Sequence, residues 1–256
     1  MCAGNIAEWP IVMYGTALAG IVLVNINPAY TAEEIAFTIN EAGCKAFITM
    51  DLGDTGHYQK LIASLAPEIS ESTPGNLKSE KMPSLENLIL CGAKTPRGYF
   101  NFNDIYGRKS SDYAERTRDI DYKSCYNIQF TSGTTGLPKG AMLSHFNLVN
   151  NARVCGHALE LHSEDIINLP LPMYHCFAMV VGALAGHSVG ASVIFPHPGY
   201  SGIATLQAMS EENSTIMYGV PAMFADVCRE QSINNLPLPH SDKGCMGGAM
   251  LPPDLL

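Results

Sequence analysis

The chain has 256 residues, enough to bury a sizeable core in one large or two small domains. Its 24 acidic against 15 basic residues give a net charge of −9, which argues against a nucleic-acid partner, and no run of Lys or Arg marks a lipid headgroup site. The eight cysteines are scattered without a Cys-x-x-Cys pair, a pattern of reduced thiols in an intracellular protein that points to neither a zinc site nor a disulfide framework.

In chain order, Trp9, Val12, Met13, Thr16, Ala17 and Gly20 recur at helical spacing and predict a helix over 8–20, feeding a buried β-branched strand over 21–24. Asn27-Pro28-Ala29-Tyr30 reads as a turn. Thr31 with Glu34 three residues on forms a capping box for a helix that carries Ile35, Ile39 and Ala42 and stops at Gly43. A strand over 46–50 follows, and this αβαβ rhythm predicts a parallel sheet. Residues 51–115 are the most polar stretch, with loop clusters at 70–76 and 94–98, one strand over 85–90, and a connector from 100 to 115. The expected division is therefore a first αβ subdomain over 1–115 and a second over 116–256.

Two stretches, 9–27 and 166–210, contain no Asp, Glu, Lys or Arg. Prolines, glycines, asparagines and histidines interrupt both, so neither offers a clean apolar span of about 20 residues, and no transmembrane segment is expected. The opening residues show neither a basic n-region nor an Arg/Ser-rich amphipathic segment, so no targeting signal is read, and the chain begins as if inside a domain.

Phe130 to Gly140 reads Phe-Thr-Ser-Gly-Thr-Thr-Gly-Leu-Pro-Lys-Gly, which gathers four hydroxyls, three glycines and one lysine in a single loop. Glycines let backbone N–H groups approach a polyphosphate, the hydroxyls of Thr131, Ser132, Thr134 and Thr135 donate to its oxygens, and Lys139 neutralises charge. The loop leaves a strand over 127–130 and precedes a helix over 144–158, and the end of a strand is where open α/β sheets bind ligands. It is neither a Walker A loop, whose second Gly would fall on Pro138, nor a Rossmann fingerprint.

Beyond the loop the alternation resumes, with strands over 166–171, 191–195, 215–218 and 244–247 and helices over 177–187, 203–209 and 221–231. His175 follows the first of these strands; a lone histidine beside an apolar stretch reads by itself as a satisfied core residue. Cys176 reads as a small buried hydrophobe rather than a nucleophile paired with its neighbour. No His/Glu or His/His spacing suggests a metal site.

At residues 130–140 the chain resembles the adenylate-forming enzymes, a family that includes acyl-CoA synthetases, the adenylation domains of peptide synthetases and beetle luciferases. The flanking Ile128-Gln129-Phe130 and Ala141-Met142-Leu143-Ser144-His145 resemble the branch that holds medium-chain fatty acid ligases, and Gly20 to Pro28 fits the family's Gly-x-x-x-Val-x-x-Asn-Pro pattern. The resemblance implies two stacked αβα subdomains with mostly parallel sheets, from the large N-terminal domain of the family. It implies ATP, Mg²⁺ and CoA, and phosphate contacts from Thr131, Ser132, Gly133, Thr134, Thr135, Gly136, Leu137, Pro138 and Lys139, with Lys139 catalytic at the leaving pyrophosphate. His175 becomes a second catalytic candidate, because the family carries Pro-Leu/Met-Phe/Tyr-His-x-x-Gly here, lining the acyl carboxylate pocket; this chain has Ala178 where that Gly would stand. Tyr218-Gly219-Val220-Pro221 would shape the acyl site, and Gly247, Gly248 and Ala249 would lie against adenine, a place where glycine leaves backbone bare for a flat base.

The implied activity is ATP-dependent ligation of a fatty acid to CoA. The family's later motifs and an N-terminal portion are not found, so an incomplete chain that cannot complete a turnover is expected. A non-catalytic nucleotide-binding or partner-regulating fragment stays open, as does an adenylation domain for an amino or aryl acid. The compartment implied is mitochondrial, with cytoplasmic as the alternative, and the sequence sets neither oligomeric state nor acyl chain length.

Overall fold

A computed structural model of the chain describes residues 1–51, 57–108, 113–131, 138–241 and 243–251. In chain order the elements are α1 (Glu8–Ala19), β1 (Leu23–Asn25), α2 (Ala32–Glu41), β2 (Ala46–Met50), α3 (His57–Leu65), β3 (Asn87–Cys91) and β4 (Tyr99–Asn101). The short α4 (Phe102–Ile105) and α5 (Tyr113–Arg118) precede β5 (Cys125–Thr131), β6 (Lys139–Ser144), α6 (His145–Ala158) and β7 (Ile166–Asn168). A π-helical stretch (Phe177–Leu184) runs into α7 (Ala185–Val189), followed by β8 (Ser192–Ile194), α8 (Gly202–Glu211), β9 (Ile216–Gly219), α9 (Pro221–Asn234) and β10 (Lys243–Met246). The chain divides into two compact units, Met1–Ala3 with Ile11–His145, and Gly4–Pro10 with Phe146–Leu256.

The first unit holds two sheets. One is parallel throughout, in the order β2-β3-β4; in the other, of order β1-β5-β6, β1 and β5 run parallel and β5 and β6 antiparallel. β5 pairs with β1, and the described residues between 116 and 145 belong to the first unit. The capping box of α2 is present in both directions: Thr31 N–H donates to Glu34 Oε2 at 2.8 Å, and Glu34 N–H donates to Thr31 Oγ1 at 3.3 Å. It satisfies two orphan donors at the helix start. Ile35 and Ile39 of that helix are fully buried, as their spacing predicts.

Several elements of this unit were not anticipated, among them the short α4 and α5 in the stretch read as a connector, and α3, β4 and β6. α3 buries Tyr58, Ile62 and Leu65, a helical stripe inside a segment whose polar composition reads as loop. β4 is only three residues long. β6 is largely exposed and exists because its backbone pairs with β5, from Thr131↔Lys139 to Cys125↔Ser144.

The second unit is one parallel sheet of order β10-β9-β7-β8. Successive strand residues point to opposite faces. On one face of β7, Asn168 Nδ2 donates to Thr205 O of α8 at 3.0 Å, and nearby Leu206, Met209, Met217 and Val227 form a buried core shared by α8, β9 and α9. On the other face, Ile167 meets the helix that begins at Phe177. A Cβ on Gly186 would lie 2.6 Å from Ile167 Cδ1, and one on Gly182 would lie 2.6 Å from Leu169 Cδ1, so the small residues at helical spacing let this helix lie directly on the strand.

At the start of β7, Asp165 is 2 % exposed and ties the sheet edge together. It accepts hydrogen bonds from His162 N–H at 2.9 Å, Thr215 Oγ1 at 2.9 Å and Lys243 Nζ at 3.2 Å, and Lys243 Nζ also donates to Glu160 O at 2.7 Å.

Candidate functional site

The hairpin of β5 and β6 carries the predicted phosphate loop in the first unit. Thr131 and Lys139 are its last register pair, both exposed, with Thr131 Oγ1 donating to Lys139 O at 3.5 Å. Ser132, Gly133, Thr134, Thr135, Gly136 and Leu137 lie outside the described residues; Pro138 is half-buried at the returning end. Gly140 has a packing reason, since a Cβ there would lie 3.0 Å from Ile128 Cγ2 and 3.3 Å from Phe130 Cζ.

Along β1 and β5 runs a ladder of buried amides that sequence reasoning missed. Gln129 Nε2 donates to Asn127 Oδ1 at 2.9 Å, and Asn127 Nδ2 donates to Asn25 Oδ1 at 2.9 Å and to Leu23 O at 2.7 Å. Asn25, Asn127 and Gln129 are 3 %, 0 % and 8 % exposed. Buried amides with both ends engaged specify one strand register, because a shift would leave polar groups without partners. The signal available in sequence was three amide side chains in strands that otherwise read as apolar.

The second unit gathers the other candidates at the C-terminal ends of its parallel strands, the usual ligand edge of such sheets. His175 lies in a turn closed by its own N–H donating to Pro172 O at 3.0 Å. Its Nδ1 accepts the backbone N–H of Phe177 at 3.1 Å, so in the neutral ring the proton sits on Nε2 and the histidine presents a donor. Although the residue is exposed, the part of the ring withdrawn from water lowers its pKa, which favours that neutral state. Cys176 is exposed, not the buried hydrophobe expected, because the turn ahead of the helix turns it outward; its Sγ lies 3.9 Å from His175 Nδ1, which the Phe177 amide already occupies.

Phe177 joins these candidates, and the sequence reading had not singled it out. Its ring is tilted against Tyr218 at 6.3 Å between centroids, and a Cβ on Gly247 would lie 3.7 Å from its Cζ. Gly247 N–H donates to Gly219 O at 3.2 Å, which carries the β9–β10 pairing one step past the strands. Gly248 takes φ +81°, a left-handed conformation that favours glycine, and Ala249 is exposed after it. Burial pushes the Tyr218 phenol well up, so it stays neutral. His175, Phe177, Tyr218, Gly219, Gly247 and Gly248 thus form one neighbourhood in the second unit, while Thr131 and Lys139 belong to the first.

A hydroxyl- and lysine-bearing strand end thus lies in one α/β unit, and a bare glycine backbone beside an aromatic ring in the other. The chain belongs to the AMP-binding enzyme family, whose profile matches residues 1–256. Its relatives include the mitochondrial medium-chain acyl-CoA ligase ACSF2 of Danio rerio, 36 % identical over 262 residues, covering 100 % of this chain and 43 % of that protein. The ACSF2 of Homo sapiens is 34 % identical over 264 residues, with 100 % and 43 % covered. Among solved structures, the anthranilate CoA ligase AuaEII in complex with anthranoyl-AMP matches with a TM-score of 0.80 at 21 % identity, covering 99 % of this chain and 45 % of that one. ATP-bound MatB from Rhodopseudomonas palustris matches with a TM-score of 0.74 at 24 % identity, with 99 % and 45 % covered. The fold is therefore that of adenylate-forming enzymes, with mostly parallel sheets as expected. The chain spans less than half the length of these relatives. The family is enzymatic, its members use ATP, and the curated relatives named are ligases.

Among the described residues no helix is long and apolar enough to cross a membrane, and no group of three His, Cys, Asp or Glu could hold a metal ion.

Proposed function

We propose that this chain carries the ATP-phosphate and acyl-recognition parts of an acid–thiol ligase that joins a medium-chain fatty acid to CoA. The observation that carries the reading is the β5–β6 hairpin, which delivers Thr131 and Lys139 to the two ends of a loop whose sequence matches the family's phosphate loop throughout. A hydroxyl and an ammonium at a loop mouth suit a polyphosphate, and the described residues fit ATP in that respect.

In the first half-reaction a carboxylate oxygen of the fatty acid attacks the α-phosphorus of ATP, and the bond to the bridging oxygen breaks to release pyrophosphate. In the second, the CoA sulfur attacks the acyl carbon of the adenylate and AMP leaves. The Lys139 ammonium stabilises charge growing on the leaving phosphates, where a preplaced cation acts most strongly. The neutral His175 ring offers Nε2–H to the acyl carboxylate, with Phe177, Tyr218 and Gly219 as the apolar wall. Gly247, Gly248 and Ala249 supply the bare backbone for adenine. Mg²⁺ would enter on the nucleotide's phosphates, since the described residues offer it no carboxylate cage. The mitochondrial compartment in the relatives' names is the compartment proposed here.

The reading is tested by titrating the 256-residue chain with ATP and Mg²⁺, with and without octanoate. Binding that weakens about tenfold or more in Lys139→Ala is expected, on the scale of a charge-assisted contact. Equal binding by the variant would remove the phosphate role. An aryl acid such as anthranilate, and not octanoate, tightening ATP binding would replace the fatty acid by an aryl substrate. Pyrophosphate release by this chain with octanoate would show that it suffices for the first half-reaction.

A further inference from the structure

We propose that Asn5 is a positioning residue for the His175 turn. The residue is 5 % exposed, and its carboxamide makes three hydrogen bonds to the backbone that leaves β7: Nδ2 donates to Leu169 O at 3.3 Å and to Leu171 O at 2.8 Å, and Oδ1 accepts from Met173 N–H at 2.8 Å. Its own backbone N–H donates to Pro198 O at 2.7 Å, beyond the end of β8. One side chain therefore holds the exit of β7 and one peptide holds the exit of β8, at the ligand edge of the sheet.

The need for this clamp lies in the segment itself. Leu169 N–H still pairs with Ile194 O of β8 at 2.9 Å, but Pro170 and Pro172 have no N–H and push Leu169 and Leu171 toward extended backbone, so from Pro170 to Met173 the chain forms neither a helix nor a continued ladder. Leu169, Leu171 and Met173 are nonetheless buried, and buried backbone groups require partners. An asparagine supplies two donors and an acceptor in one planar group, which matches the two carbonyls and the amide. Two residues past Met173, the turn delivers His175 with Nδ1 on the Phe177 amide. Releasing the clamp frees the start of that turn. The Nδ1 contact then loses its fixed geometry, and the Nε2–H donor loses its direction.

The inference deepens the reading of His175 and rests on it for functional meaning, but the test needs no ligand, so the two fail separately. The measurement is the imidazole ¹⁵N spectrum of the full 256-residue chain, with His175 assigned through His175→Gln. In the unaltered chain His175 is expected as one neutral tautomer, protonated at Nε2. Asn5→Ala removes all three side-chain bonds; Asn5→Asp keeps the acceptor for Met173 but turns a carboxylate toward two carbonyls. Both are expected to convert His175 to a tautomer mixture while His187 keeps its signals. A lowered melting temperature with the His175 pattern unchanged would overturn the proposal and leave Asn5 a purely stabilising residue. Should neither variant fold, amide exchange in the unaltered chain decides. Met173 and Phe177 amides with protection within about tenfold of each other support the coupling, and Phe177 exchanging more than about a hundredfold faster overturns it.

Discussion

Asn127 donates its side-chain amide to Asn25 Oδ1 at 2.9 Å across the parallel pairing of β5 with β1, two residues beyond its register partner Leu23. The same residue accepts from Gln129 Nε2 at 2.9 Å, so strand pairing and the base of the phosphate loop share one chain of amides. Removing the middle member leaves a donor of Gln129 and an acceptor of Asn25 buried without it. Asn127→Ala is therefore expected to lower the unfolding free energy by about 1–3 kcal/mol, measured by urea denaturation. A value near zero would mean that water or a neighbour takes over the contacts.

The glycines that let the helix from Phe177 lie on β7 give a second expectation. A Cβ at Gly182 would stand 2.6 Å from Leu169 Cδ1 and 2.9 Å from its Cδ2, and Leu169 is fully buried. Gly182→Ala should cost about 1–3 kcal/mol by overpacking, although alanine favours helix at an unconstrained position. A stabilised variant in a thermal melt would show that the helix can lift away.

Asp165 sets an acid limit. Burial alone would raise its pKa, but the His162 amide, Thr215 hydroxyl and Lys243 ammonium together bring it below the ordinary value. A depressed carboxylate contributes stability that is present above its unfolded pKa of about 3.9 and is lost as pH falls through the folded value. Urea titrations from pH 7 to pH 3 should show stability falling below about pH 4, and Asp165→Asn should flatten that fall while costing about 1.5–3 kcal/mol at pH 7. An unchanged pH profile would remove Asp165 from this role.

Three histidines act in a higher window. Burial lowers the pKa of His145, His175 and His187, so each stays neutral in the folded chain after the unfolded chain has begun to take up protons near pH 6.5. The unfolded state binds more protons there, and stability falls as pH drops from about 6.5 toward the folded values. The melting temperature should be lower at pH 5.5 than at pH 7.5, with the difference reduced in His187→Asn. A melting temperature independent of pH across this interval would contradict the partial withdrawal of these rings from water.

How much was legible in the sequence varied with the range of the interactions involved. The capping box at Thr31 and Glu34, the strand over 46–50 and the helix begun by Pro221 were read nearly as they stand, because neighbouring residues along the chain decide them. The phosphate loop announced itself through composition alone. The helix α3 carried its apolar stripe in plain view and was masked by the polar company around it.

Other features had no local signature. Lys139 to Ser144 became a strand because β5 lay ready to pair with it, and β5 joined the first unit because β1 supplied its other edge. Phe177 became part of the candidate site only when β9 and β10 brought Tyr218 and Gly247 to its ring. Asn5 met its partners 164 to 168 residues away, where two prolines had left buried carbonyls in need of a donor. The chain by itself determined its family, its alternating elements and the hydroxyl, glycine and lysine content of residues 130–140, since these reside in residue type and short spacing. Tertiary structure alone decided which strands pair and which partners the buried backbone beyond β7 finds, because those follow from satisfying buried polar groups across distances that no sequence window spans.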